Sequence, residues 1–482
     1  MARVLLVIPK VSTRYPPDFP HAGIGYLAAV LVENQIPVRV LDIALGYSQD
    51  ALLSTLESWK PTLVGITSTS YGFRHAYELI AQIKSRGDHR VVIGGTHSSA
   101  IGPQIMADTM VDFAVRGEGE ATLLELCQSL DSGTSEYGRI RGLIWRRGHE
   151  IVENSPRPFN LNLDSLPFPA YELFELEKYF GYKDRCLPVV TSRGCPYQCV
   201  FCSIQTSMGR RFRARSAQNV VAELERWYNQ GWRAFDFQDD DFTLDMDRAK
   251  EICDLIVARG LKIIWTVKNG VRANRLDQEL VEKMRQAGCV QLSFGVESGN
   301  PQVLKDIKKG LKLEQVGESL AWTKAAGIKT TGFFIVGHPT ETMERFLDTV
   351  RFARSLPFDQ INFTNMVPYP GTPLFEWVKD NGTFLYTPEV YLNEITYWDD
   401  RPIFETPNFS AEERRRAFRI GHSLEKKSVA QFRMGRVLGY IGWRFSEWGP
   451  GERFALWFLR RTRLGRNLYR LAQKTLGFQS TG

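Results

Sequence analysis

The chain has 482 residues, 43% of them hydrophobic and 24% charged, with seven cysteines. That composition excludes a disordered chain, a collagen and a disulfide scaffold, and the length asks for two or three domains. The net charge of +7 is unevenly placed: Ala411 to Gly482 hold 16 Lys and Arg against 5 Glu, a net of +11 that leaves −4 for residues 1–410.

No apolar run of about twenty residues occurs. The opening MARVLLVIPK leads into a strand-like segment without a small-residue cleavage site, so a cytoplasmic chain with reduced thiols is expected. Over residues 1–136, short apolar runs (VLLVIP, VRVLDI, LVGITS, VVIGG, FAVRG) alternate with amphipathic stretches, the pattern of a doubly wound parallel sheet. Several runs end in Gly, Ser or Thr, which places small polar residues at strand carboxyl ends, where open α/β sheets bind ligands. Gly94 and Gly95 permit close approach there, Thr96, His97 and Ser98 offer polar contacts beside them, and Thr67, Ser68 and Ser70 end the adjacent strand. Tight strand-to-helix turns would use the same glycines.

Residues 137–184, with Pro156, Pro158, Pro167 and Pro169, read as a linker with a small hairpin around GLIWRRGHEIVE. Over 185–375 the β-then-α alternation resumes with strands at PVVTS, AFDFQ, IIWTVK, VQLSFG, TGFFIVG and INFTNMV. After the first unit the spacing is about thirty residues, which predicts a partial (β/α)6 barrel. From 376 to 482 the pattern turns helical, aromatic and basic. The expected fold class is therefore α/β, with a Rossmann-like parallel sheet, a partial barrel and a mainly helical third module.

RGCPYQCVFCS places Cys195, Cys199 and Cys202 at C-x3-C-x2-C spacing just after the first barrel strand. A closed zinc site asks for a fourth Cys or His, and within twenty residues only Cys186 is present, ahead of that strand. A [4Fe-4S] cubane held by three cysteines instead leaves one iron open to a substrate or cofactor. FQDDDFT offers Asp239, Asp240 and Asp241 at the end of the second barrel strand, and capping of the next helix accounts for at least one of them. Arg272, in WTVKNGVRANRL, could pair a carboxylate bidentately or stand as an ordinary surface arginine.

The three-cysteine loop resembles the signature of the radical S-adenosylmethionine (SAM) enzymes. Read with the barrel, the pieces HAGIGYLAAVL, ITSTSYGF, IGGTHSSA and DFAVRGEGEATLLEL resemble the cobalamin-binding domain that precedes the barrel in one class of that family. The resemblance spans about residues 1–375 and implies three cofactors: the cluster, SAM and cobalamin. It implies that Phe201 lies against the SAM adenine and that Asp239 and Asp240 accept from the SAM ammonium. It further implies that Arg272 meets the SAM carboxylate, that Ser293, Glu297 and Ser298 serve the ribose or the substrate, and that Gly337 in GHPTET lets backbone approach the adenine. For cobalamin the implied contacts are Thr67, Ser68, Ser70, Gly94, Gly95, Thr96 and His97, with Gly117 and Glu118 of RGEGE. No D-x-H-x-x-G string occurs, so a protein histidine is not expected on cobalt.

The activity implied is C-methylation of an unactivated carbon in a hydrophobic small molecule, lipid or tetrapyrrole-like, through a 5′-deoxyadenosyl radical and methylcobalamin. Resembling enzymes also include a tetrapyrrole cyclase, and an electron donor such as flavodoxin or ferredoxin is implied. Methylthiolation would need further N-terminal cysteines, whereas only Cys127 precedes Cys186. An RNA-binding iron–sulfur scaffold has no RNA-recognition motif to support it, and a nucleic-acid partner is not expected.

In the tail, Phe454, Trp457, Phe458, Leu464, Leu468 and Leu471 recur near helical spacing among arginines. Two arrangements share that pattern: a basic helix at the inner membrane face, and a helix packing its apolar stripe on the barrel. The interfacial arrangement predicts co-sedimentation with anionic liposomes at low salt and release at high salt, at about 1 kcal/mol per arginine. Equal, negligible sedimentation of the full chain and a form ending near Ser410 would exclude it.

Overall fold

The computed structural model describes residues 2–10, 17–47, 49–134 and 136–447. The tail helix expected over 454–471 lies outside them.

The first sheet has seven strands: β1 (Val4–Ile8), β2 (Val38–Asp42), β3 (Leu63–Thr67), β4 (Val91–Gly94), β5 (Phe113–Val115), β6 (Leu143–Arg147) and β7 (Glu150–Glu153). Their spatial order is β2-β1-β3-β4-β5-β6-β7, parallel through β5 and antiparallel beyond it. All five residues of β1 are buried because helices cover both faces of the sheet. Leu6 packs with Ala28, Leu31 and Leu126 on one side, while Leu5 and Val7 pack with Leu56, Leu79 and Ile80 on the other. The order reverses between β1 and β3, so a crevice opens outside their carboxyl ends. The hairpin expected in the linker is β6–β7, and it extends this sheet.

The rest of the linker is a packed strap. Tyr171 Oη donates to the Pro188 carbonyl at 3.0 Å, and Tyr179 Oη donates to Asp42 at 2.7 Å. Both rings are buried in one core that runs on from the first sheet to the second.

The second sheet begins with β8 (Cys186–Val189). Then come the short ribbon of β9 (Ser192–Arg193) and β10 (Arg213–Ala214), and the strands β11 (Ala234–Phe237), β12 (Ile264–Val271), β13 (Cys289–Glu297), β14 (Lys329–Val336) and β15 (Gln360–Asn365). Its six strands run in the order β15-β14-β13-β12-β11-β8, all parallel. Alternate residues Leu292, Phe294 and Val296 pack outward under the helices. Ser293, Gly295 and Glu297 therefore face the barrel interior. This is an open six-stranded α/β barrel, in agreement with the expected class.

The third module adds a two-stranded ribbon, β16 (Thr383–Phe384) with β17 (Phe404–Glu405), and a 24-residue helix, Ala411–Met434. A capping box between Ser410 and Glu413 starts that helix. It then lies along β15, where Ser428 Oγ accepts the Ile361 N–H at 3.0 Å and Glu425 accepts the Phe363 N–H at 3.2 Å. An edge strand's unpaired donors are thus satisfied by side chains of a covering helix. Among the described residues, no helix is long and apolar enough to cross a membrane.

The cut suggested by composition, after Ser410, would remove this helix. We expect a form ending at Glu447 to keep the Ala411–Met434 helix and its hydrogen bonds to β15, and to fold. A form ending at Ser410 should melt about 10 °C lower or fail to fold, at about 2–4 °C per kcal/mol lost. Calorimetry of the two truncations checks this, and the Glu447 form is the proper control for the liposome experiment.

Candidate active site

The loop after β8 carries Cys195, Cys199 and Cys202, with Cys199 buried and the other two half-buried. Burial pushes the Cys195 thiol up to about 11 and the Cys202 thiol up to about 12, against N–H bonds from Tyr197 and Ile204 respectively. Among the described residues no three His, Cys, Asp or Glu side chains converge as they would around one ion. Three cysteines on one loop supply the thiolates of a cubane that keeps one iron open, whereas a closed zinc site asks for a fourth protein ligand.

The acidic triplet after β11 divides by partner. Asp239, 1% exposed, accepts from the Thr191 N–H and hydroxyl and from the Ser192 hydroxyl, so it braces the strand leading into the cysteine loop. Asp240 accepts the Gly194 N–H at 2.7 Å, and burial pushes its carboxyl up to about 6. Asp241 is also buried and pushed up to about 6 by desolvation, in the field of Arg272, Lys309 and Arg275. Its Oδ2 has no hydrogen-bond partner among the described residues. A buried orphan acceptor beside the cysteines is the feature a ligand ammonium would satisfy. The sequence offered all three acids alike, and only the partners separate them.

Glu297, at the end of β13, has φ +71 and pairs with Lys309 Nζ at 2.7 Å, both side chains being buried. Lys309 was not singled out from sequence, because nothing local distinguishes it from the lysine before it. Ser293 is buried four residues earlier on the inward face of β13. Ser298 bonds Thr349 at 3.0 Å, away from that face. Phe201 packs against the apolar cluster that Met366, Val367 and Tyr391 help to build.

Arg272 is 6% exposed, which rules out the surface reading. Its guanidinium stacks on Tyr197 at 3.5 Å, donates to the carbonyls of Lys309 and Gly310, and reaches Cys199 Sγ at 3.9 Å. Gly337 has φ +95, and the group crowding it is Arg414 of the long C-terminal helix, whose Nη1 would lie 2.6 Å from any Cβ there. Arg414 donates to the Gly337 carbonyl at 2.8 Å, while Glu341 accepts the Gly337 N–H at 2.7 Å. His338 Nε2 contacts the Glu297 carbonyl at 3.2 Å, and burial pulls this imidazole down to about 4.

A cavity of about 260 Å³ lies between the carboxyl ends of the first sheet and the entrance of the cysteine loop. Thr67, Gly94, Gly95, Thr96 and Gly117 form its rim, and Leu6, Leu27, Val92, Val115 and Leu123 wall its depth. Ser192, Arg193, Gln238 and Asp240 close it from the barrel side. Gly95 has φ +103, and a Cβ there would meet the Ser68 carbonyl at 2.5 Å. Such a deep apolar slot with a glycine rim fits a flat ring with a polar attachment.

Not every residue expected here faces it. Ser68 borders a smaller neighbouring pocket. His97 is buried, stacks on Phe73 at 4.4 Å and meets Tyr77 Oη at 3.2 Å and Ser70 Oγ at 3.4 Å. His97 and Ser70 are thus occupied with each other behind the rim. His21 does line the cavity, with Nδ1 accepting the Ile24 N–H at 3.2 Å.

Glu118 reaches across the domain boundary. It accepts from Arg193 at 2.9 Å, from Arg213, and from the Asn160 N–H at 2.8 Å, while Arg193 also pairs with Glu120 at 2.8 Å. Burial pushes the Glu118 carboxyl up, but the two guanidiniums and the N–H outweigh it and hold it below its ordinary value.

The B12 binding domain family matches residues 10–127, and the radical SAM superfamily matches residues 189–353. A methyltransferase of uncharacterized activity from Pyrococcus horikoshii is 33% identical, covering 90% of this chain and 94% of the relative. The cytidylyl-2-hydroxyethylphosphonate methyltransferase of Streptomyces wedmorensis is 29% identical, covering 84% and 88% respectively. Among solved structures, a radical S-adenosylmethionine methyltransferase from Kitasatospora setae, bound to cobalamin and a [4Fe-4S] cluster, superposes with a TM-score of 0.72. It covers 93% of this chain and 98% of its own at 20% identity, a likeness of fold.

Removing one partner of a buried charge pair costs about 3–5 kcal/mol. Glu118→Ala should therefore lower stability in denaturant titration by that order. Because the folded carboxyl sits below its ordinary 4.5, its contribution is complete above that pH and is lost as pH falls through the folded value. Glu118→Gln should accordingly flatten the acid limb of the stability profile.

Proposed function

Since the chain belongs to the radical SAM superfamily, in the group that carries a B12 binding domain ahead of the barrel, we propose that it is a cobalamin-dependent C-methyltransferase. The observation that carries this reading is the juxtaposition of two sites. A glycine-rimmed apolar slot at the switch point of the first sheet is closed on the barrel side by Ser192 and Arg193, which lead into the three-cysteine loop. When bound, the cluster with SAM supplies a 5′-deoxyadenosyl radical and the cobalamin supplies a transferable methyl group.

Cys195, Cys199 and Cys202 hold the cluster as thiolates and leave one iron free for SAM. Asp241, with its orphaned oxygen, and Asp240 offer acceptors for the SAM ammonium, and Phe201 offers a face for the adenine. Ser293 and Glu297 face the barrel interior, where ribose or substrate hydroxyls would lie. Thr67, Thr96 and the glycines at 94, 95 and 117 would hold the polar parts of the cobalamin, and Leu6, Val92 and Leu123 its apolar ones. No histidine is assigned to cobalt: the D-x-H-x-x-G string is missing, His97 is committed to Tyr77 and Ser70, and His21, which lines the slot, has its Nδ1 occupied by the Ile24 N–H.

The substrate is a small molecule with a hydrophobic body. Aromatic side chains from both domains support this: Tyr71 of the first domain meets Tyr397 of the third module at 5.2 Å, Tyr397 hydrogen-bonds Tyr369, and Phe201 packs against the same apolar cluster. A one-electron donor such as flavodoxin or ferredoxin would serve the cluster.

Anaerobic reconstitution should give about four irons per chain, and Cys→Ala at all three cysteines should abolish the cluster absorbance. Labelled methyl groups from SAM should enter an organic-soluble product in cell extract. Label in a water-soluble phosphonate fraction would overturn the hydrophobic assignment alone, and unlabelled, ring-closed product would favour a cyclase. Electron paramagnetic resonance of bound cob(II)alamin should show no histidine nitrogen coupling. His97→Ala should keep cobalamin affinity within about threefold, under 1 kcal/mol. Nitrogen coupling lost in His21→Ala would reverse the cobalt assignment.

A further inference from the structure

We infer that Arg272 is a positioning residue that raises the reduction potential of the cluster held by the cysteine loop, an inference that rests on the cluster reading above. The guanidinium is buried and oriented from three directions. The carbonyls of Lys309 and Gly310 accept from Nη2, Tyr197 lies under the plane at 3.5 Å, and Nη1 is left directed at Cys199 Sγ, 3.9 Å away.

Tyr197 belongs to the cysteine loop itself and is held in place by Arg275, whose Nε donates to its hydroxyl at 2.7 Å. Cys199 is the most buried of the three cysteines. The partners of its guanidinium are the carbonyls of Lys309 and Gly310, the side-chain carbonyl of Asn274 at 3.4 Å and Cys199 Sγ, none of them a carboxylate. Asp241 is the acidic group that feels its charge, from further away. The positive charge is therefore compensated by carbonyl dipoles and by the sulfur it faces.

A cluster gains one negative charge when reduced. A fixed cation and an N–H donor at a ligand sulfur stabilise that added charge, which moves the potential upward. Burial strengthens the effect, since little water screens it. The SAM carboxylate, the other partner the sequence allowed, would find Nη2 already given to two carbonyls, so the fork is not open to a bidentate pair.

The test is a dithionite titration of the reconstituted, SAM-free protein, followed by electron paramagnetic resonance of the reduced cluster. Arg272→Gln removes the charge and keeps a donor, and its midpoint should fall below that of the wild type. Arg272→Lys keeps the charge on a stem that cannot stack or fork, and its midpoint should fall by less. SAM affinity should change less than threefold in both.

An unchanged or raised midpoint in either iron-loaded variant would overturn the inference, as would a tenfold loss of SAM affinity at constant potential. Loss of iron in both variants would also overturn it, since Arg272 would then be needed to assemble the loop. If the wild-type protein itself binds no cluster, the functional reading fails first.

Discussion

The organisation of this molecule depends on burying charge between two domains. Arg193 lies two residues before Cys195, and its guanidinium is held by Glu118 and Glu120 at the end of the first sheet. A buried guanidinium with one partner removed would be costly, so the pair holds the domains in one relative position. Arg213, from the strand that pairs with the Arg193 strand, adds a second guanidinium to the same carboxylate. The cavity beside this network is walled by both domains, and Glu118, Glu120 and Arg193 are among the residues that line it. The cysteine loop is thereby placed facing the strand ends at which the second cofactor is proposed to bind.

A second constraint comes from the incomplete barrel. A six-stranded open sheet leaves an edge at β15, and the helix from Ala411 to Met434 covers it. The same helix carries Arg414, which holds the carbonyl of Gly337 in the turn after β14. From that turn, buried contacts run through His338 to the Glu297 carbonyl, through the Glu297 side chain to Lys309, and through the Lys309 carbonyl to Arg272 and Cys199. The third module, which looks like an appendage in sequence, is joined to the centre by an unbroken polar path.

Sequence alone determined the elements and their chemistry class. Parallel strands buried on both faces must be apolar throughout, so VLLVI and VVIG were legible as strands, and thirty-residue β-plus-α units were legible as a barrel. The three cysteines were legible because their spacing confines three thiols to one loop. Tertiary structure decided which polar groups remain free, because a side chain's availability depends on partners that are remote along the chain. Glu118 meets Arg213 across 95 positions, and Arg414 meets Gly337 across 77. Asp239, Asp240 and Asp241 are identical in type and adjacent in sequence. Only the folded surroundings leave Asp241 with an unbonded oxygen, and only they turn His97 behind the rim and Arg272 toward sulfur. Local pattern reports which face of an element is buried. Satisfaction of a buried charge is a property of the three-dimensional neighbourhood, which no local window of sequence contains.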